Sequence, residues 1–155
     1  MPNGRAGLAP TGTNRSGVSL AIASDSHLSV LDPALATDVI TLLGNLIDNA
    51  VDVSVGADPA SVTVAIEDRD GLMISVADSG PGVPEHLREA IFARGVTSKP
   101  DVPGGRGIGL ALVRLVSAQH GGRVEVSDSP TGGALFVVRL PVATAAVAVE
   151  KAAHA

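Results

Sequence analysis

Two asparagines stand four residues apart, at Asn45 and Asn49, in a mainly apolar segment. In a helix they lie about 40° apart on one face, one turn above the other. Neutral amides can bind a ligand but cannot serve as acids or bases. An unsatisfied buried polar group costs about 1 to 3 kcal/mol, so the pair needs partners. These partners are either neighbouring backbone groups or a metal ion and a phosphate.

A second candidate site is the segment Asp78-Ser79-Gly80-Pro81-Gly82, which follows a β-rich run. A carboxylate at a strand end can accept a hydrogen bond from an exocyclic amine such as that of adenine. The two glycines let the backbone approach a ligand closely. The alternative interpretation is a plain Asp-Ser-Gly turn.

A third candidate site is the glycine run 104–109, which leads into an apolar helical pattern. Free N–H groups and the dipole at a helix N-terminus favour an anion. Arg106 adds a full positive charge, and Lys99 in the preceding loop could reach the same phosphates. The spacing matches neither a Walker loop nor a dinucleotide fingerprint, and a hinge before a core helix is the alternative.

Strands and three helices must position these groups. Period-two and β-rich runs predict strands over 17–22, 61–66, 72–77, 123–127 and 134–140. Helices are predicted from residue 33 or 37 to about 53, from 84 to about 91, and from 108 to 119. The inner face is predicted to be Leu87, Ala90 and Ile91 in the second helix and Ile108, Ala111, Leu112, Leu115 and Ala118 in the third. Because the hairpin-linked strands run antiparallel, we expect an α/β (α+β) two-layer sandwich, a mixed sheet with three helices on one face.

The composition narrows the classes of function. The chain has 155 residues, of which 45% are hydrophobic, and a net charge of -5, so it is expected to form one globular domain without nucleic-acid or anionic-membrane binding. Its only aromatic residues are two phenylalanines, so an aromatic stacking platform for bases is not expected. There is no cysteine, which excludes disulfides and thiolate metal sites. Neither a secretory signal nor a membrane span is predicted.

Taken together and in order, these stretches resemble the ATP-binding catalytic domain of sensor histidine kinases, within the gyrase, Hsp90, histidine kinase and MutL superfamily. The wording of residues 44–50, 95–99 and 106–110 is most similar to the citrate and C4-dicarboxylate sensor kinases. The resemblance covers about 17–141 and implies the Bergerat ATP-binding fold. Residues 1–16 are then expected to be a disordered linker and 142–155 an alanine-rich C-terminal tail.

The resemblance implies ATP and Mg²⁺ as cofactors and assigns roles to individual residues. Asn49 would be the metal ligand, and Asn45 would bind nucleotide at the position where hydrolases of the superfamily carry a glutamate base. The other assignments are Asp78 to the adenine amine, Gly80 and Gly82 to the purine edge, Phe92 to the lid anchor, and Gly105, Gly107 and Gly109 to the phosphates. Further nucleotide contacts are expected from Val83, Lys99, Arg106, Ile108 and Leu110, with Lys99 and Arg106 also stabilising charge in catalysis.

The chain departs from the family pattern at three positions. Asp52 stands where many members have a lysine, and Ser79 stands where they have an asparagine. The threonine often found before the last strand is replaced around Gly133 and Ala134. A lysine contact to phosphate from the first helix and a water-mediated adenine contact are therefore not expected.

The predicted function is that of a catalytic fragment. His27 has no long helix around it and is interpreted as a surface histidine, so the acceptor histidine would lie on the dimerisation domain of a parent kinase. A response regulator would act downstream. The domain would be the cytosolic part of a membrane-anchored kinase, without direct membrane contact. The alternatives are an anti-sigma-factor-type serine kinase and a non-catalytic nucleotide-binding regulatory module of the same fold.

Overall fold

The computed structural model describes residues 12–13, 17–24, 26–28, 31–93, 106–130 and 132–141. The expected tail over 142–155 and the loop over 94–105 lie outside these ranges. The strands are β1 (Gly12–Thr13), β2 (Ser19–Ile22), β3 (Ser61–Glu67), β4 (Leu72–Ala77), β5 (Arg123–Asp128) and β6 (Ala134–Leu140). The helices are α1 (Pro33–Ser54) and α2 (Arg106–Gln119), with 3₁₀ turns at Glu85–Leu87 and Ala90–Phe92.

The six strands form one mixed sheet in the order β1-β2-β3-β4-β6-β5. Strands β2 and β3 are parallel and are joined through α1, whereas every other neighbouring pair is antiparallel. The predicted two-layer α/β sandwich with a mixed sheet is confirmed. The short β1 pairs with β2, so two residues of the expected linker over 1–16 belong to the sheet.

The core lies between one face of the sheet and the two helices. Matching positions of the central strands point to this face, so buried side chains form cross-strand rows; one row is Val64, Val76, Phe136 and Val126. Helix α1 contacts β3 and β4, and α2 contacts β5 and β6. Because every second residue of a strand faces the core, the opposite face of the sheet carries half-exposed small residues such as Ser75 and Ala77.

Helix α1 begins where one of the two predicted start signals placed it. Asp32 is the N-cap, and its Oδ2 accepts hydrogen bonds from the backbone N–H of Ala34 at 3.1 Å and of Leu35 at 3.5 Å. With 22 residues and an 18-residue window of mean hydropathy 1.2, α1 is long and apolar enough to cross a membrane by length and composition alone, contrary to the prediction from the sequence. One face of α1, which includes Leu42, Leu46 and Ala50, is instead fully buried in the core.

The second predicted helix is replaced by the two 3₁₀ turns, and its predicted inner face is largely wrong. Leu87 is 41% exposed, whereas Ile91 packs against the core and Phe92 is buried. The predicted inner face of α2 is also wrong at Leu115, which is 55% exposed, and at the exposed Ala118. The residues of α2 that enter the core are Leu110, Val113 and Val116, with the buried Ser117 beside them.

Candidate functional site

Asp78 follows β4 and places a buried carboxylate at the end of the sheet. The residue is only 3% exposed, and its Oδ1 accepts hydrogen bonds from the backbone N–H of Gly80 at 2.9 Å and of Ala134 at 3.0 Å. Burial raises the pKa of Asp78, and these two hydrogen bonds oppose that rise. Within the described ranges Oδ2 has no partner. One buried carboxylate oxygen is therefore able to accept a hydrogen bond from a ligand.

The glycines around Asp78 occupy positions where close packing or a positive φ requires glycine, which was not predicted from the sequence. A Cβ on Gly80 would lie 2.7 Å from the carbonyl oxygen of Val53, so the loop after β4 packs directly on the last turn of α1. Gly82 has φ +78° and lies against Gly133 of the β5–β6 hairpin. Gly133, with φ +98°, lies so close to Asp78 that a Cβ there would overlap the Asp78 carbonyl oxygen. Close packing thus fixes the backbone on both sides of the carboxylate.

Three serines connect α1 with the ends of two strands. The hydroxyl of the fully buried Ser54 accepts a hydrogen bond from the backbone N–H of Ser79 at 3.0 Å. The hydroxyl of Ser79 in turn accepts one from the backbone N–H of Ser61 at 2.8 Å. Ser79, which departs from the family pattern, therefore holds the Asp78 loop to α1 and β3.

Arg88 holds the loop that follows Asp78 to the β5–β6 hairpin, and this role was not predicted from the sequence. Its Nε donates to the carbonyl of Val83 at 3.2 Å, and its Nη2 lies 3.1 Å from Oδ1 of Asp128 at the end of β5. The Arg88 side chain is 28% exposed and that of Asp128 is 81% exposed. Arg88 therefore links the Val83 backbone to the β5–β6 hairpin that also contains Gly133.

The asparagine face of α1 lies against the first turns of α2. Asn45 donates from Nδ2 to the carbonyl of Thr41 at 2.8 Å, which leaves its Oδ1 directed at α2. A Cβ on Gly109 would come within 3.0 Å of that oxygen, so the two helices meet here. The side chain of the half-buried Asn49 makes no hydrogen bond to the residues that the structure describes. The predicted asparagine and glycine sites are thus adjacent in space.

Several predicted contacts lie partly or wholly beyond the described residues. Lys99 and Gly105 fall outside the described ranges. Arg106, Gly107 and Ile108 form the first turn of α2, and of this turn the backbone alone is described. Leu110 is buried in the core, so a contact from this residue to a ligand would come from its backbone.

Phe92 is fixed at the boundary between the 3₁₀ turns and the segment beyond residue 93. Its ring packs edge-on against Phe136 with centroids 6.1 Å apart and an interplanar angle of 84°. The guanidinium carbon of Arg114 lies 5.9 Å from the Phe92 ring centroid, and Arg114 also pairs with Glu89 at 3.0 Å. Phe92 thus ties the end of this segment to both β6 and α2.

Two histidines have structural partners. The imidazole Nε2 of His27 lies 2.8 Å from Oδ1 of the buried Asp68, and that of His120 lies 2.7 Å from Oδ2 of Asp38. The second pair joins the end of α2 to the first half of α1. The described residues contain no group of three or more His, Cys, Asp or Glu side chains that could hold a metal ion. A metal ion at the asparagine face of α1 would therefore be held by amide oxygens together with oxygens of a bound ligand.

The buried Asp78 carboxylate, the glycine-rich turn after it and the asparagine face of α1 lie in one α/β sandwich. The model of the histidine kinase-, DNA gyrase B- and HSP90-like ATPases matches residues 34–144. The chain belongs to this family.

Proteins similar to this chain include a sensor histidine kinase and a sensor protein. The chain is 38% identical over 129 residues to the sensor histidine kinase DpiB of Escherichia coli, covering 81% of this chain and 23% of that protein. It is 39% identical over 126 residues to the sensor protein CitS of Bacillus subtilis, covering 80% and 23%. The chain thus spans about a quarter of the length of these relatives.

Solved structures agree with the fold. Full-length ShkA in complex with AMPPNP superposes with a TM-score of 0.69 at 34% identity, covering 84% of this chain and 27% of that one. The ATP-binding domain of PrrB from Mycobacterium tuberculosis gives a TM-score of 0.56 at 32% identity, covering 82% and 80%. The predicted resemblance to histidine kinases, including the citrate and C4-dicarboxylate sensors, is confirmed.

Proposed function

We propose that this chain is the catalytic ATP-binding domain of a two-component sensor histidine kinase. It binds Mg-ATP and presents the γ-phosphoryl group to a histidine on a separate dimerisation domain, from which a response regulator receives it. The domain works on the cytosolic side of a membrane-anchored parent. Its membership of the ATPase family and its similarity to sensor kinases support this proposal.

The unpartnered Oδ2 of Asp78 carries the proposal for the nucleotide. A buried carboxylate oxygen that no described residue satisfies fits a ligand that donates a hydrogen bond, and the exocyclic amine of adenine does so. The other oxygen is held by Gly80 and Ala134, so the carboxylate cannot rotate away. The Asp78 loop is further fixed by Ser54 and by packing on α1. The adenine site is therefore preorganised in this proposal.

Helix α1 sets the distance between the adenine and phosphate ends of the site. Val53 touches the Asp78 loop and Asn45 touches α2, so the two contacts are eight residues or about 12 Å apart along the helix. Asn49 lies between them on the same side, one turn from each. Its amide oxygen is a suitable Mg²⁺ ligand, because Mg²⁺ prefers oxygen donors and needs few from the protein when phosphates and waters supply the rest. Mg²⁺, when bound there, would neutralise charge on the phosphates.

Asn45 explains why transfer rather than hydrolysis is proposed. An amide cannot take a proton from water, so this position does not supply a general base. Phosphoryl transfer needs mainly alignment and charge stabilisation, and the N-terminus of α2 with Arg106 and Lys99 is proposed to supply the charge. The domain alone should therefore hydrolyse ATP slowly.

The proposal is tested by calorimetric titration with ATP, with and without Mg²⁺. The Asn49→Ala variant should lose the Mg²⁺-dependent part of ATP binding, because the proposed metal ligand is removed. The control is Gly44→Ala on the same helix, where a Cβ has no atom within 4 Å. Binding that is equally Mg²⁺-dependent in all three proteins would reject the assignment of Asn49.

Labelled ATP distinguishes the histidine kinase from its alternatives. Phosphate transfer to an added histidine-bearing helical hairpin supports the proposal. Transfer to a serine of a sigma-factor antagonist would instead support an anti-sigma-factor-type serine kinase. Binding without transfer to either would indicate a regulatory module. The Asn45→Glu variant should hydrolyse ATP faster than the original protein, and an unchanged rate would show that this position alone does not prevent hydrolysis.

A further inference from the structure

Two arginines face each other across the last pair of strands, far from the proposed nucleotide site. Arg123 at the start of β5 is the direct cross-strand partner of Arg139 near the end of β6. The next pair, Val124 with Val138, points toward the core, so the two arginines share the outer face of the sheet. Directly opposed side chains have Cβ atoms about 5 Å apart, and like charges in this arrangement are destabilising. The sheet therefore bears an electrostatic cost at this position.

The available carboxylates compensate this cost only in part. Arg123 Nε lies 2.9 Å from Oε1 of Glu125 on the same strand. Arg139 donates from Nη1 to the sulfur of Met73 at 3.2 Å, and a thioether sulfur is a weak acceptor. Among the described residues Arg139 has no carboxylate partner, and Arg69 has no ion-pair or hydrogen-bond partner at all.

The three arginines line one cavity of about 480 Å³ at this end of the sheet. Glu67 and Asp70 also line it, so its charged groups are three cations and two anions. The lining carries one more positive than negative group on a chain whose net charge is -5, and Glu125 beside it pairs with Arg123.

Two glycines of the cavity wall have no room for a side chain. A Cβ on Gly71 would lie 2.7 Å from the carbonyl oxygen of Leu140, and a Cβ on Gly122 would lie 2.7 Å from Cδ2 of the same residue. These two glycines therefore pack directly on the end of β6. The cavity lies at the ends of β3 and β6 and the starts of β4 and β5, whereas Asp78 follows the opposite end of β4.

We propose that this cavity, termed the arginine cavity, binds a small anion bearing phosphate or carboxylate groups between Arg123 and Arg139, with Arg69 as a third donor. Guanidinium groups bind such oxyanions in bidentate geometry, and one anion between two arginines would replace their repulsion by attraction. This site goes beyond the proposed kinase function, because it shares no residue with the nucleotide site.

The test is an NMR titration of the ¹⁵N-labelled full chain in Mg²⁺-free buffer with inorganic phosphate, pyrophosphate and malonate in separate arms. The sodium chloride control matches the ionic strength of each arm. We expect saturable shifts of the Gly71, Gly121 and Gly122 amides, and the arm with the tightest binding identifies phosphate or carboxylate as the preferred group. Shifts at Gly109 would report the nucleotide site separately.

Variants test the role of the arginine pair. Arg139→Gln and Arg123→Gln should each weaken anion binding at the arginine cavity at least tenfold. Arg114→Gln, which removes one charge elsewhere, should leave it within about twofold. Arg139→Gln removes the repulsion without breaking an ion pair among the described residues, so it should melt higher than the original protein without anion and gain less on its addition.

Two cavity variants are measured so that one remains informative if the other fails to fold. Shifts that chloride reproduces at equal ionic strength, or equal affinities in Arg139→Gln and Arg114→Gln, would overturn the proposal.

Discussion

Gly133 offers the sharpest test of how the hairpin holds the Asp78 carboxylate. A Cβ on Gly133 would lie 2.8 Å from both the carbonyl carbon and Oδ1 of Asp78. Restoring ordinary contact near 3.5 Å would move these groups apart by about 1 Å. Gly132 is the matched control, because its φ is +83° against +98° at Gly133 and a Cβ there would meet no atom within 4 Å. An alanine at either position is strained, but only the one at Gly133 collides with Asp78.

The expected magnitudes follow from this difference. Strain from a positive φ costs about 1 to 3 kcal/mol and should be shared by Gly132→Ala and Gly133→Ala. Overpacking should cost Gly133→Ala about 1 to 3 kcal/mol more. Displacement of Asp78 removes a charged hydrogen bond worth about 1.5 to 3 kcal/mol, so ATP affinity should fall about 10- to 100-fold. Gly132→Ala should keep its ATP affinity within about twofold.

Urea unfolding and calorimetric titration with ATP measure the two effects separately. The free energy of unfolding reports the packing at Gly133, whether or not the domain binds ATP as proposed. The ATP affinity reports the position of the Asp78 carboxylate. Equal free energies of unfolding for the two variants would refute the packing argument. Equal ATP affinities despite a stability difference would instead refute the role of Asp78 in binding.

Three further outcomes are expected. Burial raises the pKa of Asp78, so its contribution to stability is present below the ordinary value of 3.8 and is lost as pH rises through the folded-state pKa. In urea unfolding, Asp78→Asn should therefore have a higher free energy of unfolding than the original protein at pH 7 and lose this advantage below pH 3.8. The same variant should bind ATP more weakly. Arg88→Met and Asp128→Asn should couple by about 0.2 to 1 kcal/mol in a double-mutant unfolding cycle, because Asp128 is exposed. Arg88→Met should weaken ATP binding more than Asp128→Asn, because it also frees Val83. Additive effects on unfolding would contradict the link between Arg88 and Asp128. Gly44→Ala should raise the free energy of unfolding by about 0.5 to 1 kcal/mol, since it removes a glycine from an exposed helical position, and a loss of stability would disprove this reading.

The parts of the fold that the sequence predicted are those set by local signals. The cap at Asp32 and the proline after it placed the start of α1, because capping depends on groups within one turn. Strand positions followed from period-two patterns. The inner face of α2 was not predictable in the same way, because its leucines, valines and alanines occupy most of the helix surface. Contact with the sheet then decides that Val113 is buried and Leu115 is exposed.

The residues of the candidate site likewise divide into those with a local sequence signal and those whose partners are distant in the chain. Asn45, Asn49 and Asp78 could be found because their side-chain types and spacing are unusual in apolar surroundings. Arg88 could not, because its acceptor Asp128 is 40 residues away and an arginine in a polar turn is unremarkable by type. Ser54 likewise meets Ser79 across 25 residues. Residues that position a site through distant partners leave no local pattern.

The two edges of the sheet have consequences for self-association. An exposed edge strand can pair with another chain, and proteins limit this with short strands and charged side chains. Here β1 has two residues, and β5 carries Arg123, Glu125 and Asp128 over its six residues. Neither edge is a long apolar template. We therefore expect that replacing the charges of β5 by apolar residues, more than any change in the core, would let the sheet extend from one chain into the next.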